Sequence, residues 1–249
     1  DPCCLVVDPL LINRDDEFSG NPKVAYTNQP HREFIYRQAF EMGRHVIGYE
    51  VQKVLAAVDL MSRFDGGRLK TLPVGIAGVG EGGLLALHSA ALDPRIASTL
   101  VCGYFEQREA IWREPIYRNV FGLLEDFGDA ELAGLIAPRH LVIEPCRVPG
   151  VDGPPAVRPG RRTTAAPGRI VVQRDESVRA EFERSRKLSK QWDADSSIHL
   201  VRNDRFAQRD AGSIAAIQLF ASGLKLTATF EESPPAWQLG PPANRPTAR

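Results

Sequence analysis

The chain reads as short apolar runs separated by stretches in which apolar residues recur every three or four positions. The first run, CCLVVDPLL, closes on Asp-Pro and predicts a buried strand entering a loop. A polar stretch follows, INRDDEFSGNPKVAYTNQPHREF, with turn signals at Gly20-Asn21-Pro22 and Gln29-Pro30, and loops of that length are often functional rims. From about Arg32 to Phe64 the period is helical. Ile47, Val51, Val54, Leu55, Val58 and Met61 share one face, which predicts a core-facing helix ended by the glycines of FDGGR. LPVGIAGV is then a strand of the kind buried on both faces in a parallel sheet, and the next helix opens near Glu81.

The alternation continues with ASTLVCGYF (97–105) as a strand, two short helical patterns up to Ile136 with a break before Pro115, and PRHLVIEP (138–145) as another strand. Between 146 and 168 proline and glycine dominate and RPGRR adds charge, which predicts an exposed, irregular insertion. DESVRAEFERSRKLSKQW, acidic at its start and basic at its end, suits a helix dipole. SSIHLVRND predicts a last strand and SIAAIQLFASGLKL a last helix. The order places the chain in the α/β class: a mainly parallel sheet flanked by helices, one domain over 1–230, and a mobile proline-rich tail over 231–249.

Composition changes little in this picture. Lys plus Arg and Asp plus Glu both total 31, so no net charge draws the chain to nucleic acid or an anionic surface. No apolar run approaches the roughly 20 residues of a membrane span. The four cysteines, Cys3, Cys4, Cys102 and Cys146, form no C-x-x-C pair, so free thiols are expected and no metal site. The opening DPCCLVVDPLL has neither Met nor a charged-then-apolar leader, the pattern of a processed product or of a segment of something longer, and the compartment stays open.

The stretch with chemistry in it is VGIAGVGEGGLLALHSAALDP (74–94), a strand, a tight glycine turn and a helix. Gly78, Gly80 and Gly83 satisfy the dinucleotide fingerprint G-x-G-x-x-G, with Glu106 as the acidic residue at the end of the next strand. That fingerprint belongs on the first strand, whereas here a strand and a long helix come first. A P-loop is excluded, because no Gly-Lys-Ser/Thr follows. Gly78, Gly80 and Gly82 also occupy the three defining positions of a nucleophile elbow, G-x-S-x-G.

GRHVIGYEVQKVLAAVDLM before the strand, PVGIAGVGEGGLLALHSAALDPRI around the turn, and LIAPRHLVIE further on resemble the α/β-hydrolase superfamily, and within it the acetyl xylan esterase and dienelactone hydrolase-like branch. The resemblance runs from Gly43 to Arg147, with weaker support to Leu224. It implies an α/β-hydrolase fold whose leading strands are missing here, in what is then part of a larger chain. It also implies a small ester or carbohydrate-like ligand and no cofactor. In such hydrolases an elbow serine attacks the ester, a histidine after the last strand takes its proton, and an acid orients that histidine.

Two of those roles have no occupant. The serine position is Gly80, which has no side chain, and RNDRFAQRD puts Asn203, Asp204 and Arg205 where the histidine belongs. His199 falls too early, inside the strand. Acids remain: Glu106 and Glu144 at strand ends, Asp152 in the next loop, and Asp204; strand ends bind ligands in open sheets and also simply meet solvent. Glu81 holds the slot whose backbone N–H forms half an oxyanion hole, with its carboxylate either capping the helix or lining a relic pocket. His31 is expected on the rim, His45 and His88 on half-exposed helix faces, and His140 at a strand start. A non-catalytic binding or structural domain is the expectation. The alternatives are a hydrolase whose carboxylates activate water directly and a nucleotide-binding module.

Overall fold

The computed structural model describes residues 4–17, 21–23, 25–64, 71–157, 159–160, 162, 164–202 and 210–226. Asp204, its neighbours in 203–209, and the 231–249 tail lie outside the described residues. Four strands, β1 (Val74–Val79), β2 (Ile96–Cys102), β3 (His140–Glu144) and β6 (Ile198–Leu200), form one wholly parallel sheet in the order β1-β2-β3-β6. Helices α1 (His31–Glu41), α2 (Val46–Arg63), α3 (Glu81–Leu92), α5 (Asp129–Ile136) and α6 (Asp175–Lys190) lie to one side, with a single turn α4 (Leu123–Asp126) between α3 and α5 in the chain. Helix α7 (Ile214–Gly223) covers the other face, where Ala216, Leu219 and Phe220 pack on Leu100, Cys102 and Val142. The α/β class and the parallel sheet follow directly from the order of the elements.

The apolar stripe of α2 is the one its period predicts, with Ile47, Val51, Val54 and Val58 buried against α3. Each contributes about 1.5–3 kcal/mol of transfer free energy. The single helix expected from Arg32 to Phe64 is instead two. The chain turns at Gly43, whose φ of +65° stops α1, and His45 starts α2 by accepting the Ile47 N–H on Nδ1 at 3.1 Å. His45 is therefore a helix cap rather than a residue on a helix face.

The expected first strand does not form. Residues 4–13 form no regular element and lie against α2, with the Ile12 N–H donating to Glu50 Oε1 at 2.9 Å and Lys53 Nζ to the Leu10 carbonyl, while Leu5, Val6 and Leu10 stay exposed. Side-chain anchors on α2 take the place of backbone pairing. The 146–168 insertion is irregular as expected but not wholly exposed. Cys146 and Val148 are buried, β4 (Val151–Asp152) pairs antiparallel with β5 (Arg169–Ile170), and the Ala166 N–H donates to Glu33 at 2.8 Å.

Two phrases of the sequence owe their form to one joint. Asp93 of ALDPRI grips Arg95 through both oxygens, and Arg139 of IAPRH donates to the carbonyls of Asp93 and Ile96 at 3.1 and 2.9 Å. The starts of β2 and β3 are thereby tied together, below the end of the sheet where the glycine turn lies.

The glycines of that turn differ in what they permit. A Cβ on Gly78 would stand 2.0 Å from the Gly82 carbonyl oxygen, so strand and helix can approach only because position 78 has no side chain. Around Gly82 itself there is open space. Gly78→Ala should cost roughly 3 kcal/mol in urea denaturation, since a backbone clash cannot relax as a flexible side chain would. Gly82→Ala should be neutral or slightly stabilising in the same measurement.

Candidate functional site

At the junction of β1 and α3, Gly80 adopts φ 56° and ψ −110°, a conformation that turns the chain sharply from strand to helix. Its N–H donates to the Cys102 carbonyl at 2.8 Å, and its carbonyl accepts from Leu84 at 3.0 Å. Strand and helix thus meet in a tight turn whose central residue carries no side chain. Val148 packs against the turn: its Cβ and Cγ1 lie 3.5 Å, ordinary contact distance, from the point a Cβ at position 80 would occupy.

Glu81, next in sequence, does not cap its helix with its side chain. It turns into a cluster of arginines. Oε1 accepts from Arg32 at 2.9 Å, Oε2 from Arg14 at 2.9 Å, and Arg118 Nε stands 3.4 Å from Oε2. Burial works to raise the Glu81 pKa, but Arg118, Arg32 and Arg14 outweigh it and hold the carboxyl below its usual range.

The cluster continues in both directions. Arg32, only 1% exposed, also grips Glu50, which is wholly buried, at 2.6 Å. Arg118 passes to Glu114 at 2.7 Å, Glu114 to Arg108 at 3.1 Å, and Arg108 to Asp129 at 2.9 Å. Arg108 stacks 3.8 Å from the Tyr104 ring centroid, with Arg118 at 5.1 Å from the same ring. Burial, opposed by Arg108, raises the Asp129 pKa to about 6. Arg14, Arg32, Arg108, Arg118, Tyr104 and Asp129 are the polar residues around the turn that sequence reasoning missed. One signal was available: Arg32 falls on the buried stripe of α1 with Tyr36 and Ala39, and Glu50 on that of α2.

The other acids are dispersed. Glu144, 2% exposed, accepts from the N–H groups of Gly212 and Ser213 at 2.7 and 2.9 Å and from the Cys102 thiol at 3.3 Å. It anchors the entry to α7, on the sheet face away from the arginines. The Cys102 thiol, hydrogen-bonded to Cys146 and buried, is pushed far above its ordinary pKa and so is unreactive. Asp152 is exposed and pairs with Arg169 across the β4–β5 hairpin at 3.2 Å. Glu106 lies 3.9 Å from Arg108, and burial raises its pKa despite that charge. Among the described residues no group of His, Cys, Asp and Glu is arranged to hold a metal ion.

The histidines are as dispersed as the acids. His31 opens α1 and meets Asn13 at 2.8 Å. His140 and His199 stack with centroids 4.8 Å apart at the start and middle of their strands, away from the turn. His88, two turns along α3 from Glu81, faces the Leu84 carbonyl with Nδ1 at 2.9 Å, and its Nε2 is closed off from solvent with no hydrogen-bond partner. Burial, aided by Arg108 and His45, lowers its pKa to about 4.

No family model and no curated protein matches the chain. Among solved structures, a Bacteroides fragilis protein described as an acetyl xylan esterase is similar over 72% of this chain and 42% of its own, at 13% identity and a TM-score of 0.48. A carbohydrate esterase family 15 glucuronoyl esterase from Caldicellulosiruptor kristjansonii is similar over 79% and 56%, at 14% identity and a TM-score of 0.48. A methylesterase is similar over 71% and 35%, at 21% identity and a TM-score of 0.44. This chain thus spans from 35% to 56% of the length of those structures.

Two expectations follow from the buried charges. Arg32→Met leaves Glu50 and part of Glu81 unpaired and should destabilise by about 3–5 kcal/mol in chemical denaturation. For His88 the folded pKa of about 4 lies below the unfolded 6.5, so the unfolded chain binds more protons between them. Its contribution is complete above pH 6.5 and is lost as pH falls toward 4, about 3 kcal/mol in all. His88→Gln should flatten the stability curve in that window.

Proposed function

We propose that the chain is an α/β-hydrolase-type domain, related to carboxylic-ester hydrolases of the acetyl xylan esterase-like branch, that has lost hydrolysis and works as a binding or structural domain for a small ester or carbohydrate-like ligand. The observation that carries this reading is the turn at Gly80. It keeps the backbone of an elbow, carries no nucleophile, and has Val148 seated where the nucleophile's surroundings would be. Glu81 supports it too, since its oxygens are engaged by arginines. A base needs a free lone pair within reach of a water.

The carboxylate alternative has one observation in its favour: burial leaves Glu106 with a raised pKa, the direction a general acid needs. A second carboxylate to work with it is harder to supply. Glu81 and Glu144 spend their oxygens on Arg and backbone N–H partners, and Asp152 stands in solvent with Arg169.

Aryl-acetate hydrolysis by the purified protein tests both readings. The expected rate is the buffer background, unchanged in Glu81→Gln and Glu106→Gln. Turnover above background that either substitution abolishes would overturn the non-catalytic reading. Gly80→Ser should fold, since Val148 at 3.5 Å leaves ordinary contact distance. It should lose about 1–2 kcal/mol to the positive φ, and it should gain no esterase activity, because no histidine accompanies the new hydroxyl.

A further inference from the structure

A cavity of about 20 Å³ lies between α3, α5 and the segment after β2. Three polar atoms on residues lining it are buried without a hydrogen-bond partner: His88 Nε2, Arg108 Nη2 and Arg118 Nε. Arg118 Nε has Glu81 at 3.4 Å for charge, and both guanidiniums belong to side chains no more than 5% exposed. Buried polar groups are almost always hydrogen-bonded, so three unsatisfied ones around one cavity call for a common partner.

We propose that this cavity is a binding site for one hydroxyl group of a small neutral polyol. The donors and acceptors decide its chemistry. His88 Nδ1 faces a carbonyl, so it carries the ring proton, and Nε2 presents a lone pair. The two arginine atoms can only donate. An occupant satisfying all three must donate once and accept twice, which is the inventory of an alcohol oxygen. A carboxylate offers no hydrogen to His88, and an ammonium accepts nothing from the arginines. Charge agrees, because Arg108 and Arg118 are already matched by Asp129 and Glu114. The volume admits one oxygen and little more. Leu124, Phe127 and Asn119 also line the cavity and are exposed, the first two offering apolar contact for the carbon skeleton and Asn119 an amide for a second hydroxyl. The inference does not depend on the Gly80 turn being inert, and an active esterase would leave it standing.

Glycerol is the probe, with acetate as the charged control, and the readout is methyl NMR of Leu124 and Leu132 at pH 7. The expected result is a saturable shift with glycerol, kept in His88→Gln, whose amide oxygen still accepts. The shift should be weakened roughly tenfold in His88→Leu. Asn119→Ala, at an exposed position, should weaken it less and serves where His88→Leu does not fold. Shifts that stay linear in glycerol would assign the cavity to water alone and overturn the proposal. So would equal binding by His88→Leu, an Asn119→Ala response identical to wild type, or saturation by acetate in place of glycerol.

Discussion

The chain of ion pairs from Glu50 through Arg32, Glu81, Arg118, Glu114 and Arg108 to Asp129 is the interaction on which the rest of the structure depends. It links α2, α1, α3, the segment after β2 and α5, and Arg14 fastens the first described segment to it through Glu81 and the Tyr117 hydroxyl. Four arginines meet four carboxylates, so no member is left without an opposite charge. Such a chain is poor evidence of stability in itself, because desolvation offsets much of the attraction. What it does enforce is completeness. Once these charges are buried, each partner must be in place, which adds an orientational requirement to the apolar packing that α1, α2, α3 and α5 already share.

The Gly80 turn is held by different means. Its backbone is pinned by the bond to the Cys102 carbonyl and by the close approach of Gly78 to Gly82, and neither needs a side chain at position 80. A nucleophile can therefore be absent while the turn remains. This explains why glycine spacing alone is ambiguous between an elbow and a dinucleotide loop. Both use glycine for the same close passage of strand and helix.

Most of the architecture was legible because it rests on local pattern. The period of α2, the dipolar charges of α6 and the apolar runs of β1, β2 and β3 are all properties of a few consecutive residues. The failures came where distant partners decided. CCLVVDPLL has the composition of a strand, but Glu50 and Lys53 hold it along α2. The break at Gly43 was overlooked because apolar residues continue on both sides. Of the site, the glycines were visible and the arginines were not, since Arg14, Arg32 and Arg118 reach Glu81 from 67, 49 and 37 positions away. Only the stripe position of Arg32 betrayed its burial.

Two of the acids that stood out in the sequence, Glu144 and Glu81, are engaged by the fold itself. Glu144 sits at a strand end as a catalytic acid would, yet its oxygens fasten Gly212 and Ser213 at the entry to α7, the helix that closes the far face of the sheet. Glu81 sits beside the Gly80 turn and completes the buried charge chain. Freeing either carboxylate for proton transfer would unfasten a helix or strand an arginine. Both carboxylates thus serve the fold: Glu81 holds three arginines together and Glu144 holds the start of α7.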